Sequence, residues 1–149
     1  IKPNLANIGK AKSLVNYKDL IISAETVYLK HKGMMIDLGG IGKGYAVEES
    51  VSVLKARGVK SGVVSLSGDI KVFGNEAEVA ITDPGKDSTI ATFTTGSEEL
   101  AISTSGSYER FVDIDGDVYH HLIVPESGKP GSDFLSLTVV MKDSATLAD

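Results

Sequence analysis

The stretch from Ile36 to Leu54 reads IDLGGIGKGYAVEESVSVL and indicates the fold of the chain around it. The short apolar run Met34-Met35-Ile36 precedes Asp37, and Lys43 lies within a cluster of four glycines. These glycines are Gly39, Gly40, Gly42 and Gly44. An apolar run followed by clustered glycines is typical of a strand that enters a tight turn. We therefore predict a strand over residues 34–36 and a turn after Asp37.

A helix is predicted after the turn, from Tyr45 onward. Small and apolar residues recur there at spacings of three, four and three, which places them on one face of a helix. They are Gly44, Val47, Val51 and Leu54. Gly58 follows as a C-terminal stop, because glycine readily adopts the left-handed conformation that ends many helices.

The glycine turn has the chemistry of an anion site. Glycine lets the backbone approach a ligand closely, and the first N–H groups of a helix carry partial positive charge. A phosphate can therefore dock at this turn with Lys43 as its counter-ion. The glycine spacing matches neither the dinucleotide-binding G-x-G-x-x-G nor the P-loop G-x-x-x-x-G-K-[ST]. On the residues alone, a tight turn with a solvated lysine remains the alternative.

Length and composition limit the class of protein. A chain of 149 residues with 42% hydrophobic and 23% charged residues can bury one core, which predicts a single domain over residues 1–149. The net charge of −5 comes from acidic residues spread along the chain, so we expect no nucleic-acid partner. No apolar run is long enough to span a bilayer, and the chain has no cysteine for a disulfide or thiolate metal site.

The remaining sequence predicts an α+β architecture with mainly antiparallel sheets and one long helix, the helix after the glycine turn. Helical spacing between Ile1 and Val15 predicts a short N-terminal helix. Asp115-Gly116 is typical of a hairpin turn, and the compact apolar run Gly62–Leu66 suits a buried strand. The other predicted strands are Leu20–Ser23, Thr26–Lys30, Ile70–Phe73, Glu78–Thr82, Thr89–Thr95, Leu100–Ser103, Tyr108–Ile114, Val118–Ile123 and Leu135–Met141.

The segment Asp37–Ala46, DLGGIGKGYA, resembles the D-L-G-[GA]-I-[AG]-K-G-[YF]-A signature of the ApbE family, the FAD:protein FMN transferases. Further blocks resemble the family in the same order and extend the resemblance over nearly the whole chain. They are Ser67–Ile70 (G-G-D-I), Thr104–Arg110 (T-S-G-x-Y-x-R), Tyr119–Pro130 (Y-H-H-I-I-D-P-x-T-G-x-P) and the final Ala148-Asp149 (A-D-A-x-x-T). The resemblance implies a T-fold-like domain, here a fragment without the N-terminal flavin-contacting part and the C-terminal end.

The resemblance implies an enzyme that transfers FMN from FAD to a Thr or Ser hydroxyl of an acceptor protein and releases AMP. Such phosphoryl transfer is commonly supported by Mg²⁺, which prefers oxygen ligands. Carried over by position, the metal ligands are Asp149 and the backbone carbonyl of Gly40. The family's metal-binding threonine would fall beyond the last residue of this sequence.

The flavin contacts implied by the resemblance are Asp37, Lys43, His121 and Ile123. We expect Asp37 to hydrogen-bond the dinucleotide and Lys43 to lie near a phosphate. Helix capping is the alternative role for Asp37. His121 is also the candidate general base, since an ordinary histidine pKa of ~6.5 suits removal of a hydroxyl proton. His120 and His121 are adjacent in the predicted strand Val118–Ile123, so their side chains point to opposite faces, and we expect a structural or solvated role for His120.

Two departures from the family pattern leave other functions open. Val124 stands where the family has an aspartate, and Ser67 stands where it has a glycine. The alternatives are FAD pyrophosphatase activity, a non-catalytic flavin-binding domain, and a structural module that has lost the ligand. Family members commonly modify flavoprotein subunits of electron-transport complexes at the outer face of the bacterial cytoplasmic membrane. We therefore expect such an acceptor, and an extracytoplasmic, membrane-anchored location for the full-length protein.

Overall fold

The computed structural model describes residues 4–86, 88–108 and 110–149. These residues group into two compact units. The first unit comprises the described parts of Ile1–Asp37 and Glu109–Asp133, and the second comprises those of Leu38–Tyr108 and Phe134–Asp149. The single domain expected from the sequence stays a prediction. None of the described helices is both long enough and apolar enough to cross a membrane.

The elements are mostly strands, with three α-helices among the described residues, and give the predicted α+β class. In chain order they are α1 (Leu5–Lys12), β1 (Leu20–Ile22), β2 (Val27–Leu29), α2 (Gly42–Ala56), β3 (Gly62–Leu66), β4 (Asp69–Phe73), β5 (Glu78–Thr82), β6 (Thr89–Thr94), β7 (Leu100–Gly106), β8 (Phe111–Ile114), β9 (Asp117–His120), β10 (Ile123–Val124), β11 (Lys129–Pro130), β12 (Ser136–Lys142) and α3 (Ala145–Ala148). Each strand pair found among the described residues is antiparallel, as predicted.

The first unit contains α1 and three two-stranded hairpins, β1–β2, β8–β9 and β10–β11. The helix begins at Leu5 because the side chain of Asn4 accepts hydrogen bonds from the Ala6 and Asn7 N–H groups. The β8–β9 turn confirms the predicted Asp115-Gly116 hairpin. Both turn residues have positive φ, 56° and 82°, as a two-residue hairpin turn requires.

The second unit is built on a four-stranded sheet in the order β12-β7-β4-β3. One core lies between this sheet and the two helices α2 and α3. A second core lies between the sheet and the β5–β6 hairpin. The first core contains Val47, Ala101, Ala145 and Ala148, and the second contains Val72, Val79 and Ile102. Because successive strand residues point to opposite faces, β7 supplies Ala101 to one core and Ile102 to the other.

Helix α2 confirms the predicted helix after the glycine turn. Gly44, Val47 and Val51 are its buried residues, which is the face the spacing predicts. The helix ends at Ala56, and Gly58 takes a positive φ of 87°. The Gly58 N–H then bonds the Lys55 carbonyl while the Val59 N–H bonds that of Leu54. This pattern satisfies the last carbonyls of the helix and explains why a glycine stands there.

Several predicted boundaries are wrong. No strand forms over residues 34–36, where Met35 is almost fully exposed, and α2 begins at Gly42 instead of Tyr45. Strand β3 is half-exposed instead of buried because it lies at the edge of its sheet. The predicted strand Val118–Ile123 is divided between β9 and β10. The short helix α3 has no counterpart among the predicted elements, and the predictions that fall on residues 1–3 and Glu109 lie outside the described residues.

The turn between β3 and β4 gives a first testable prediction. Leu66 pairs with Asp69, so Ser67 and Gly68 form the turn, with φ of 49° and 97°. A non-glycine residue in this conformation is strained by about 1 kcal/mol. We expect Ser67→Gly to raise the free energy of unfolding by roughly 0.5 kcal/mol, measured by urea unfolding. Gly68→Ala is the matched comparison and should lower the free energy of unfolding. A Ser67→Gly protein that is less stable than the unsubstituted protein would contradict backbone strain at Ser67.

Candidate functional site

The strongest candidate site in the second unit is a cluster of Lys43, Asp69 and Asp149. The Lys43 ammonium donates a hydrogen bond to Asp69 Oδ2 and a second to Asp149 Oδ1, at 3.2 Å. The two carboxylate side chains are only 2% and 4% exposed, whereas the lysine side chain is 39% exposed. Two buried carboxylates therefore face one partly exposed cation.

Asp69 is positioned by the alternation of strand β4. Asp69 and Lys71 both bond side chains of α2, so the face of β4 that carries them is the face toward the helix. Ile70 and Val72 point the other way, into the core with the β5–β6 hairpin. The Asp69 Oδ1 atom is buried and has no hydrogen-bond partner among the described residues. A buried carboxylate oxygen without a partner is costly in a structural role and points to a ligand.

Asp149 lies at the N-terminal end of helix α2. Its Oδ2 accepts a hydrogen bond from the Gly44 N–H at 2.9 Å, so it satisfies one of the unpaired donors in the first turn. This placement depends on a glycine, because a Cβ at Gly44 would lie 2.6 Å from the Cβ of Asp149. Helix α3, capped by the Ser144 hydroxyl, carries Asp149 to this position.

The charge of Lys43 is held by its two carboxylate partners. Burial alone would lower the pKa of the ammonium, but the hydrogen bonds to Asp69 and Asp149 outweigh this effect. The pKa of Lys43 is therefore raised above its ordinary value of 10.5. The ammonium stays protonated at neutral pH. The cluster therefore has one positive charge beside two carboxylates.

A second ionic group lies beside the first and anchors α3. The Lys71 side chain is 2% exposed, and its ammonium lies 2.5 Å from Glu48 Oε1 and 2.9 Å from the Asp143 carbonyl oxygen. The other oxygen of Glu48 accepts a hydrogen bond from the Ala145 N–H at 2.7 Å. Glu48 therefore joins the buried lysine to the first residue of α3, the helix that leads to Asp149.

This anchor predicts a pH dependence of stability. Burial would raise the pKa of Glu48, but its bonds to Lys71 and the Ala145 N–H lower the pKa below the ordinary 4.5. A lowered folded-state pKa gives stability that is complete above the unfolded value and is lost as pH falls through the folded one. We expect the difference in unfolding free energy between the unsubstituted protein and Glu48→Gln to shrink from about pH 7 to about pH 3. A difference that is constant over this range would contradict the assignment.

The predicted site residues fall into two groups. Lys43 and Asp149 are brought together, although they are 106 positions apart in the sequence. Gly40 lies two residues before α2, with no heavy atom within 4 Å of the place a Cβ would take. The exposed residues Asp37, His121 and Ile123 belong to the first unit. The N-cap of α2 is Ile41, which makes no side-chain hydrogen bond, and both alternatives for Asp37 stay predictions.

The two histidines of the first unit have different surroundings. The His120 Nδ1 accepts a hydrogen bond from the Leu122 N–H, and its Nε2 lies 2.8 Å from the Gly131 carbonyl oxygen. Both ring nitrogens of His120 are thus occupied by backbone groups, which is a structural role. These contacts also end β9 at His120, so His121 lies in an exposed bend and not on a continuous strand. Its predicted contact with flavin and its role as a base stay predictions.

Sequence reasoning gave no role to three residues of the site: Asp69, Glu48 and Lys71. The sequence did contain one signal, because alternation along Asp69–Phe73 places two charged residues on the same face as Phe73. Charged residues on a face that packs against a helix are rarely buried unless they are paired or bind a ligand.

The carboxylates fit a hard cation. No group of three or more His, Asp or Glu residues suited to a metal ion occurs in the described part of the chain. Asp69 and Asp149 are nevertheless two buried carboxylates that face the same cation, and Asp69 Oδ1 has no partner there. Mg²⁺ is commonly held by one or two carboxylates together with substrate phosphate. The donor set therefore suits this ion.

The family is shown by a match between residues 2–149 and the model of the ApbE family. The chain belongs to the ApbE family. It is 31% identical over 145 residues to the FAD:protein FMN transferase of Klebsiella pneumoniae (strain 342), covering 95% of this chain and 46% of that protein. With the FAD:protein FMN transferase of Treponema pallidum (strain Nichols) the identity is 32% over 137 residues, which is 83% of this chain and 38% of the relative.

Solved structures agree with the family assignment. The crystal structure of the ApbE protein from Thermotoga maritima superposes with a TM-score of 0.90 at 31% identity, covering 99% of this chain and 49% of that one. The flavin transferase ApbE from Vibrio cholerae gives a TM-score of 0.83 at 26% identity, covering 99% and 48%. The mainly antiparallel α+β fold is thus confirmed. The chain spans less than half the length of these relatives.

Proposed function

We propose that the protein is a flavin transferase that moves FMN from FAD to a Thr or Ser hydroxyl of an acceptor protein and releases AMP. The observation that carries this proposal is the Lys43–Asp69–Asp149 cluster at the N-terminal end of α2, in a chain of the ApbE family. Relatives named FAD:protein FMN transferase support the choice of substrate.

The reaction needs one bond to form and one to break at phosphorus. The acceptor oxygen bonds the phosphorus on the FMN side of the diphosphate, and the bond from that phosphorus to the bridging oxygen breaks. The hydroxyl proton goes to a base, and AMP leaves with the bridging oxygen. A protein mainly catalyses such a step by holding the diphosphate in place and neutralising the charge that develops.

Lys43 and the start of α2 supply the positive groups for this task. The Lys43 ammonium is partly exposed and firmly protonated, so it can approach a phosphate oxygen from the cluster. The first turn of α2 has no side-chain cap from Ile41 and adds the partial positive charge of a helix N-terminus. Both lie directly after the glycine turn, whose backbone a ligand can approach closely.

Mg²⁺ fits the carboxylates of the cluster, and when bound it would neutralise charge on the phosphate oxygens. In this proposal Asp149 and the Gly40 carbonyl hold the ion, as the family pattern implies, and Asp69 is a third oxygen donor within the same cluster. Asp37 and Ile123 bind the dinucleotide, and His121 binds flavin and accepts the hydroxyl proton. The roles of Asp37, His121 and Ile123 are supported by the family pattern and by the exposure of these three residues to solvent.

The test uses the purified protein with FAD, Mg²⁺ and a flavoprotein subunit of an electron-transport complex as acceptor. We expect acceptor that carries covalent FMN, detected by its intact mass, together with an equal amount of AMP. A parallel reaction with a chelator in place of Mg²⁺ should give neither product. Tight FAD binding with no AMP in any reaction would contradict the transferase proposal and favour a flavin-binding domain.

Water as the acceptor is the second candidate, which would make the protein an FAD pyrophosphatase. Val124 favours it, because a valine replaces the aspartate of the family pattern in the block that follows His121. Loss of a carboxylate that orients neighbouring polar groups can loosen a site without abolishing binding. In the same assay this activity would appear as AMP and free FMN with no mass added to the acceptor.

The membrane-anchored location of the full-length protein remains part of the proposal and is tested by a separate cell-fractionation experiment.

A further inference from the structure

We infer that Lys43 is a displaceable cation, which a divalent ion replaces between Asp69 and Asp149 so that the ammonium is freed for a phosphate. The inference rests on the proposed function only for the identity of that phosphate, the diphosphate of FAD. The competition between lysine and metal stands on the contacts of the cluster itself.

The oxygens of Asp149 show why the two cations must compete. Its Oδ2 is committed to the Gly44 N–H at 2.9 Å, and its Oδ1 to the Lys43 ammonium at 3.2 Å. The backbone N–H belongs to the first turn of α2 and cannot leave without disrupting the helix. A carboxylate oxygen can accept a second partner, but a metal ion on Oδ1 would lie beside the ammonium, and repulsion between the two positive charges would drive the ammonium away.

The oxygens of Asp69 show that the lysine only partly satisfies the pair. Oδ2 accepts from Lys43, but Oδ1 is buried without a partner among the described residues. One ammonium also balances only one of the two carboxylate charges. A divalent ion balances both and can use Oδ1, so it is the better counter-ion for this pair.

The mobility of Lys43 makes the exchange feasible. Its side chain is 39% exposed and carries the ammonium at the end of a flexible four-carbon chain, whereas both aspartate side chains are almost fully buried. The ammonium can swing toward solvent without unpacking the core, while the carboxylates stay in place. Because the lysine arises from the first turn of α2, it remains beside the glycine turn after displacement. Metal binding would thus prepare the site for a phosphate.

The first test is calorimetric titration of Mg²⁺ alone, with no FAD and no acceptor. We expect Lys43→Gln to bind Mg²⁺ roughly tenfold more tightly than the unsubstituted protein, because the competing cation is gone. Lys142→Gln removes an exposed lysine that pairs with Glu98 and should leave the affinity unchanged. An unchanged or weaker affinity for Lys43→Gln would overturn the inference.

The second test uses the unsubstituted protein, so it does not depend on the folding of a variant. An amine-acylating reagent is applied with and without Mg²⁺, and the modified peptides are quantified by mass. Modification of Lys43 should rise severalfold when Mg²⁺ is added, while that of Lys142 should not change. Equal modification of Lys43 in both conditions would contradict displacement.

The third test separates this inference from the proposed reaction. In the unsubstituted protein, Mg²⁺ should tighten FAD binding, and in Lys43→Gln this gain should be several times smaller. If Mg²⁺ tightened FAD binding equally in both proteins, the freed Lys43 ammonium would not be binding the phosphate of FAD. Failure of FMN transfer would leave the Mg²⁺ titration and the acylation result intact, so the two proposals can fail independently.

Discussion

Gly44→Ala is expected to lower the free energy of unfolding by about 3 kcal/mol, because its methyl group has no space. A Cβ at this position would overlap the carbonyl oxygen of Ala145 and lie 2.6 Å from the Cβ of Asp149. Helix α3 would have to move away from α2, and the hydrogen bond from the Gly44 N–H to Asp149 would lengthen or break. Urea unfolding measures the loss, and Mg²⁺ titration should show weaker binding in the same variant.

Gly42→Ala is the matched control, since Gly42 lies in the same turn of α2. No heavy atom lies within 4 Å of the place where its Cβ would be. Alanine is the better helix former, so this variant should keep or raise the unfolding free energy, by at most about 1 kcal/mol. If both variants lost the same amount of unfolding free energy, the close approach of α3 would not be the reason that Gly44 must be a glycine.

Lys71→Met is expected to cost about 3 kcal/mol, because it leaves the Glu48 carboxylate near the core without its counter-ion, whereas Glu99 keeps its ion pair with Lys55. The Lys71 ammonium lies 2.5 Å from Glu48 Oε1 and 3.5 Å from Glu99 Oε2. Methionine has a similar length and keeps most of the packing, so the loss reports the charge and not a cavity. The unfolding free energy of the purified variant measures this effect.

Two comparisons make the Lys71 result specific. Lys142→Met removes a lysine from an ion pair that is exposed to solvent, and its unfolding free energy should not differ measurably from that of the unsubstituted protein. Adding Glu48→Gln to Lys71→Met should recover part of the stability, since it removes one uncompensated charge. No recovery in the double variant would show that the loss arises from packing.

The helix that carries the site was predictable because its information is local. The glycine cluster, the spacing from Gly44 to Leu54 and the stop at Gly58 all lie within one stretch of the chain, and each agrees with the observed α2. The exposed run at Met35 shows the limit of such reasoning. Apolar residues there suggested a strand, but a strand needs a neighbouring strand to bond, and none pairs with these residues in the described structure.

The site itself could be predicted only in part. The family resemblance pointed to Lys43 and Asp149, whose contact at 3.2 Å confirms that distant segments meet. Asp69 lies in a block that resembles the family but received no chemical role, because its burial depends on which strand lies beside it. Burial of this kind is a tertiary property, and composition, spacing and turn chemistry do not contain it.

The anchoring of α3 at both ends has a consequence for insertions and deletions. The Glu48 carboxylate accepts from the Ala145 N–H, and the Asp149 carboxylate accepts from the Gly44 N–H. Gly44 and Glu48 are about one helical turn apart on α2, and Ala145 and Asp149 are separated by the same number of residues, so both bonds can form together. Side chains on the outer surface of either turn can vary in size without affecting this match. One residue added or removed between the paired points would rotate one partner by about 100° and break a bond. The length of these two turns is therefore under a stricter constraint than their composition.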